Sequence, residues 1–313
     1  MKAALISNKL SRYNARYPNR VEAIAKSYEL ATFTLNAEAL ANIMQIDAML
    51  ERAADSGTEI LCINGGDGTL DLILTRLFVA AFSSWRPLIL LLRGGTTNMT
   101  HRDVGYGKDP AEALKKAIAR EFQLSITKRH IMRVSGGNMT TPHYGFFIGT
   151  HALTRAITHT RTHLHSKGNH GTLSEIRMLF SSLSALLRGD VTNHPILSPT
   201  LLSFSLHSAM RHTMHVTFIA TTLERLLLNL TLSKPRNQIG CLALQQPFTG
   251  LFTQLASLWT GKGDKDDGAI LRWRDDEIRF ALDGNFTIDG EIFSAELHSP
   301  VTITKSESVS FLQ

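Results

Sequence analysis

Ile60-Leu61-Cys62-Ile63-Asn64-Gly65-Gly66-Asp67-Gly68-Thr69 runs directly into Leu70, Ile73, Leu74, Leu77 and Phe78. An apolar run stops in a glycine cluster, and the apolar positions then recur at i, i+3, i+4, i+7 and i+8, the change from strand period to helix period. The stretch reads as strand, tight loop, helix. Its glycines let the backbone bend into left-handed conformations and let a ligand approach main-chain N–H groups, while the following helix adds a positive N-terminal end. This is the pattern of a phosphate cradle. Asp67 is its unusual member: a carboxylate beside a polyphosphate is repelled unless it works through a metal ion or orients a hydroxyl, which points to Mg²⁺-nucleotide chemistry. The plainer alternative is a glycine turn with a helix-capping aspartate.

Two further stretches carry similar punctuation. Leu88-Ile89-Leu90-Leu91-Leu92 runs into Arg93-Gly94-Gly95-Thr96-Thr97-Asn98-Met99, and Phe286-Thr287-Ile288-Asp289-Gly290-Glu291 lies near the C-terminus. Asn64 to Thr69 resembles the GGDGT signature of diacylglycerol kinase-type lipid kinases, NAD kinases and, more distantly, phosphofructokinases. The second stretch looks like the PxGTxND loop of the lipid kinases, and the third is similar to the DGE motif of bacterial lipid kinases and the sphingosine and ceramide kinases. With three motifs in order across almost the whole chain, the sequence resembles the diacylglycerol kinase catalytic-domain family. That resemblance implies an α/β N-terminal nucleotide-binding domain, a parallel sheet with helices on both faces, followed by a C-terminal antiparallel β-sandwich that carries the lipid site. The expected division is residues 1–127, with a returning tail at about 305–313, and residues 128–304, with a helical insertion near 150–189.

Length and composition agree with this size of molecule. A chain of 313 residues with 43% apolar content can bury a substantial core in one large or two ordinary domains. The longest apolar candidate, Leu77 to Leu92, is broken by Ser83, Ser84, Arg86 and Pro87, so no membrane span is expected. The N-terminal apolar segment Ala3 to Ile6 is too short for a signal-peptide core, and the expected location is the cytoplasm, peripheral at the inner membrane surface. Only Cys62 and Cys241 are present, which argues against a disulfide framework or a cysteine-rich metal site. The net charge of +6 is uneven: residues 121–240 hold twelve Lys/Arg against four acids, and eleven of the thirteen histidines. For a lipid-acting protein such a surface is drawn to anionic headgroups, each basic group contributing about 1 kcal/mol; a solvated basic surface is the alternative. No nucleic-acid motif or aromatic-basic interleaving is present, so nucleic acid is not expected as a partner. The expected partners are a lipid substrate and, transiently, the membrane surface, with a homodimer left open.

Strand and helix alternate through the first half: a strand at Lys2–Ser7, a helix at 19–29, a strand at Ala31–Leu35, a longer helix at Ala37–Ala54 with Leu40, Ile43, Met44 and Leu50 on one side, then the two glycine loops, and a helix at Pro110–Arg120. This predicts a parallel sheet with ligands gathered at the carboxyl ends of its strands, where both glycine loops open. From Phe122 the pattern becomes short strands: Phe122–Ile126, Ile131–Val134, Tyr144–Ile148 and, later, His215–Ala220. His159, His163, His165 and His170 have spacing that invites a metal reading, but no carboxylate or cysteine in that segment completes a closed set. Leu179, Phe180, Leu183, Leu186 and Leu187 form an apolar stripe, read as core or as a lipid-entry lip. Asp266-Asp267-Gly268 lies in an acidic, glycine-containing turn at Gly261–Gly268 whose surroundings do not match a metal loop.

The resemblance assigns the chemistry. Asn8 and Ser11 match an NPxSG-like loop, with Lys9 and Arg12 in place of its proline and glycine. Gly65, Gly66, Gly68, Thr69, Gly95, Thr96 and Asn98 are expected to bind the phosphates of ATP, Asp67 to orient them or contact Mg²⁺, and Glu291 to act as general base on the acceptor hydroxyl. On a regular strand Asp289 and Glu291 share a face, and Gly290 permits a turn that re-aims Glu291; an Asp-Gly turn between strands is the plain reading. Met99 and Leu72 stand where the family has acids, with Asp103 four residues beyond Met99. The expected activity is transfer of the γ-phosphate of Mg-ATP to the hydroxyl of a lipid such as diacylglycerol. An NAD kinase-like enzyme and a non-catalytic nucleotide- or lipid-binding regulator are the alternatives.

Overall fold

The computed structural model describes residues 2–79, 84–119, 124–158, 194, 196–206, 209–226, 237–245 and 269–313. The chain divides into two compact units, one built chiefly from Met1–Ile131 and Ser306–Gln313, the other from Met132–Glu224 and Leu228–Lys305.

The first unit alternates strand and helix: β1 (Ala3–Asn8), α1 (Arg12–Arg16), α2 (Arg20–Ser27), β2 (Ala31–Leu35), α3 (Ala37–Ala41), α4 (Ile43–Asp55), β3 (Ile60–Gly65), α5 (Asp67–Val79), β4 (Leu88–Arg93), α6 (Met99–Val104) and α7 (Pro110–Ala119). The strands lie in the order β2-β1-β3-β4, and all three pairings are parallel. Continuous apolar runs make β1, β3 and β4 because a parallel sheet is covered on its faces by helices. Leu5, Cys62, Leu90 and Leu92 pack with Val21 and Ala25 of α2 and with Ala111, Ala113 and Leu114 of α7. Burial of its thiol pushes Cys62 up to about 12, leaving it protonated and inert.

One expected helix is two. Asn42 takes an extended conformation (φ −125°, ψ 97°) and its side chain accepts a hydrogen bond from the Met44 N–H at 3.1 Å, ending α3 and capping α4. The break resets the helical phase. Ile46, Leu50 and Ala53 face the core, while Ile43 and Met44, placed by spacing on one side with Leu40 and Leu50, are 52% and 79% exposed. Next, β5 (Ile126–Gly136) is one strand and bridges the gap expected between Ile126 and Ile131. Its polar residues are satisfied in place: Arg129 Nε donates to Asp103 Oδ2 at 2.8 Å, and His130 Nδ1 lies 3.0 Å from the Ser306 carbonyl oxygen.

The second unit contains β6 (His143–Gly145), β7 (Phe147–Thr150), a helical segment at residues 152–158, β8 (Thr200–Leu206), β9 (Ala209–Thr221), β10 (Ile239–Gln245), β11 (Ile270–Asp275), β12 (Glu277–Leu282), β13 (Gly284–Ile288), β14 (Glu291–Ala295) and β15 (Val301–Leu312). Its strands pair antiparallel in the order β14-β13-β7-β9-β8-β12-β15, with β10 joining β9 to β11. The inward side chains form an aromatic core. Phe204 stacks on Trp273 at 5.0 Å, Phe218 meets Phe280 at 5.6 Å, and Phe280 meets Phe286 edge-on at 5.5 Å. The far end of β15 belongs to the first unit, where Phe311 pairs in parallel with Ile89 of β4.

The histidines at 159–170, the apolar stripe at 179–187 and the Gly261–Gly268 turn lie outside the described residues. Among the described residues no group of three or more His, Cys, Asp or Glu is placed to hold a metal ion, and no helix is long and apolar enough to cross a membrane.

Candidate active site

Because β1, β3 and β4 are adjacent and parallel, the loops after them emerge together at the carboxyl edge of the sheet. The two glycine loops do more than open on the same side: their backbones are stacked. The Gly94 N–H donates to the Gly65 carbonyl at 2.9 Å. A Cβ on Gly94 would lie 2.7 Å from Gly65 N, and one on Gly95 would lie 2.5 Å from Gly66 Cα. No side chain fits between these peptides, so Gly94 and Gly95 answer first to a close approach of two segments of the protein itself.

Asp67 fastens the same two loops by its side chain. It opens α5, and its Oδ2 and Oδ1 accept the backbone N–H groups of Met99 and Thr100, each at 3.0 Å. The expected helix-capping aspartate therefore exists, but the helix it caps is α6, thirty residues on. Burial raises the Asp67 carboxyl above the ordinary value, while the Met99 and Thr100 N–H groups pull it back down. Asn98, immediately before α6, sits in the left-handed region (φ 49°) and closes a ring on the loop: its Oδ1 accepts from Gly95 N at 2.8 Å and its Nδ2 donates to Gly95 O at 2.6 Å. Asn and Asp tolerate this conformation better than most residues. Met99 needs no acidic side chain in this arrangement, because its contribution is its peptide N–H.

The loop after β1 joins the cradle through Asn8. Its Nδ2 donates to Thr69 Oγ1 at 2.8 Å and its Oδ1 accepts from the Leu10 N–H at 2.9 Å. Beneath it lies a buried polar network that the sequence did not reveal: Asn64 Nδ2 donates to Asn14 Oδ1 at 2.9 Å and to Ser7 Oγ at 3.1 Å, and Ser7 Oγ donates to Glu22 Oε1 at 2.8 Å. Such a network pins β1, α1 and β3 together just below the loops. Ser11 is buried, and its hydroxyl has no partner among the described residues. Tyr13 N donates to Gly94 O at 3.0 Å, which seats the start of α1 on the second glycine loop. Asp103, four residues beyond Met99, has its carboxylate paired with Arg129 at 2.8 Å.

The structure thus brings together Asn8, Ser11, Gly65, Gly66, Asp67, Gly68, Thr69, Gly95, Thr96 and Asn98 in one unit. Asn8, Thr69 and Asn98 are buried and committed to holding the loops, whereas Thr96 is exposed. Lys9, Arg12 and Arg93 are also exposed at this edge, and no phosphate role was assigned to them. The available signal was their position: each is the basic residue standing where the resembled motif is neutral.

The remaining motif belongs to the second unit and is a two-residue hairpin. Ile288 pairs with Glu291 across Asp289-Gly290, and both turn residues have positive φ, 44° and 96°. Two left-handed residues give the hairpin turn whose twist matches its strands, for which Asp-Gly is a preferred sequence. A regular strand through this motif is corrected accordingly: Asp289 and Glu291 do not share a strand face. Asp289 is 4% exposed and its Oδ2 accepts the Phe146 N–H at 2.8 Å, while its own N–H donates to Phe147 O at 2.9 Å. Glu291 is exposed.

Comparison with known proteins follows this division. Residues 2–126 match the family model for the diacylglycerol kinase catalytic domain, which covers the whole cradle. The crystal structure of a candidate diacylglycerol kinase from Bacillus anthracis str. Sterne superposes with a TM-score of 0.64 at 14% identity, covering 99% of this chain and 96% of that one. A second structure, of a diacylglycerol kinase from the same organism, gives 0.60 at 13% identity with the same coverage. No curated protein matches the chain. The chain has the two-domain fold of diacylglycerol kinase-like proteins, with parallel N-terminal strands flanked by helices and an antiparallel C-terminal region.

Proposed function

We propose that this chain is an ATP-dependent lipid kinase, transferring the γ-phosphate of Mg-ATP to a lipid hydroxyl. The observation that carries the reading is the stacked pair of glycine loops locked by Asp67 at the carboxyl edge of a parallel sheet. Phosphoryl transfer asks a protein mainly for positioning and charge neutralisation, and a rigid arrangement of peptide N–H groups supplies positioning. Gly65, Gly66, Gly68, Gly95, Thr96 and the Ser11 hydroxyl, which has no partner among the described residues, line the phosphate site, with Asn8, Thr69 and Asn98 fixing the loops around them. Lys9, Arg12 and Arg93 add positive charge at the same edge. Asp67, partly accessible in the cradle, is the carboxylate assigned to the nucleotide's Mg²⁺, directly or through water. When bound, that ion neutralises charge on the phosphate oxygens. Glu291 takes the proton from the acceptor hydroxyl as that oxygen attacks. Its exposure suits a group that must meet a substrate. The lipid comes from an anionic membrane surface that the basic middle of the chain approaches.

The test is transfer of labelled phosphate from Mg-ATP to micellar diacylglycerol, ceramide and sphingosine, with NAD in parallel. A phosphorylated lipid is expected. Phosphorylated NAD would instead identify an NAD kinase-like enzyme, and ATP binding without any product would identify a regulator.

A further inference from the structure

The second unit holds a cavity of about 450 Å³ that none of the three motifs accounts for, bordered by His151, Arg155, Thr200, Leu282, Asp283 and Asn285. It is a built site. His151 is 5% exposed and sits at φ 52°, a left-handed conformation that a non-glycine residue keeps only where its surroundings hold it. Arg155 supports the wall, donating to the carbonyls of Ile196 and Ser198 at 3.3 and 2.7 Å, to Ser198 Oγ at 2.8 Å and to Thr200 Oγ1 at 2.8 Å.

The hydrogen bonds at Thr150 favour one tautomer of His151. Thr150 Oγ1 accepts the Phe218 N–H at 3.1 Å and lies 2.9 Å from His151 Nδ1. The hydroxyl has a single proton; donating it to Nδ1 satisfies both groups and leaves the ring's own proton for Nε2, whereas accepting from an Nδ1–H would leave the hydroxyl proton without a partner among the described residues. Nε2 is buried and has no partner among the described residues. Burial, with Arg155 and His215 nearby, holds the ring down at about 4, so it is neutral at pH 7. In this tautomer the cavity offers an uncharged N–H donor beside a cation, with the exposed Asp283 and Asn285 at its rim.

We infer that His151 is the specificity-determining residue of the acceptor lipid's pocket, its Nε2–H donating to a carbonyl oxygen of the lipid, ester or amide. This rests on the lipid-kinase reading. Away from the Asp283 rim, at the His151 end, a ligand ammonium group would bring only donors to another donor and to the Arg155 guanidinium, so a free sphingoid amine is disfavoured there. A buried donor left unpaired is what makes a site reject an analogue lacking the acceptor.

The test is equilibrium binding in mixed micelles without nucleotide, using dioctanoylglycerol for the ester, octanoyl ceramide for the amide and sphingosine for the amine. Wild type is expected to bind the ester, the amide or both about tenfold tighter than sphingosine, and which of the two binds names the source of the carbonyl. His151→Leu should erase most of that ratio and His151→Gln, which keeps an N–H at similar reach, should retain it, with Mg-ATP affinity unchanged in both. Equal affinities in wild type, or an unchanged ratio in His151→Leu, would overturn the inference. A variant-independent readout is the imidazole ¹⁵N spectrum: Nε2 should be protonated and should shift with the carbonyl ligand, and an Nδ1-protonated ring would overturn the inference. Binding of this pattern without phosphate transfer would sink the kinase reading and leave the pocket standing.

Discussion

Asp67 and Asp289 sit in two signature motifs, one in each unit, and they do the same physical job. Each carboxylate accepts peptide N–H groups from a segment distant in sequence: Asp67 from Met99 and Thr100, Asp289 from Phe146. They differ in what they hold. Asp67 locks two glycine loops into a polar surface of backbone, whereas Asp289 pins an apolar hairpin and leaves the next acid, Glu291, exposed. The difference teaches that an acid in a glycine-rich motif is not by that fact a chemical group. In the first unit one aspartate fastens and stays partly accessible; in the second, the fastening carboxylate is buried and the exposed one is its neighbour.

That division can be broken by substitution. Glu291→Ala should lower phosphate transfer by about 10²–10⁴-fold, the usual contribution of a general base, and leave the melting temperature unchanged. Asp67→Ala should affect both properties: it orphans two N–H groups, which costs about 2 kcal/mol, and it should weaken Mg-ATP binding roughly 30-fold as the loops separate. Calorimetry and thermal melting read the two effects separately. Asp289→Ala should lower stability by ~1–3 kcal/mol through the unsatisfied Phe146 N–H, seen as a lower urea midpoint, with turnover per folded molecule reduced only as far as the hairpin loosens. Asn42→Ala, far from either motif, should cost about 1 kcal/mol of stability through its lost cap and nothing in turnover.

A pH titration gives the finest comparison, since among the described residues each unit holds one histidine depressed to about 4, His101 in the first and His151 in the second, burial being the main cause in both. A folded-state value below the unfolded one favours the neutral ring. Their contribution is full above about pH 6.5 and is lost as the pH falls towards 4. Stability should decline through that window, and a flat profile would contradict the burial of both rings.

Local pattern was enough for much of the first unit. β2 spans Ala31–Leu35, the bounds expected from the sequence, and β3 passes into α5 at the glycines. The helix break at Asn42 was hidden because a cap residue inside a helical pattern looks like one tolerated polar position. The continuity of β5 was hidden because Thr127 to His130 are polar, and their satisfaction depends on Asp103 and Ser306, residues far away in sequence. The roles of the motif residues were hidden for the same reason. Nothing local shows that Gly95 packs on Gly66, that Asp67 reaches Thr100, or that Asn64 belongs to a network with Ser7 and Asn14. Spacing reports which residues share an element, and these contacts are made between elements.

That the stacked loops form a nucleotide cradle is tested most directly by titrating Mg-ATP into wild type and Gly95→Ala by calorimetry. Gly95 is the choice because an added Cβ would meet Gly66 Cα at 2.5 Å, and the loops must part to admit it. Saturable binding to wild type, lost in a variant that still melts cooperatively, is the predicted result. No binding to wild type, or equal binding to both, would contradict it.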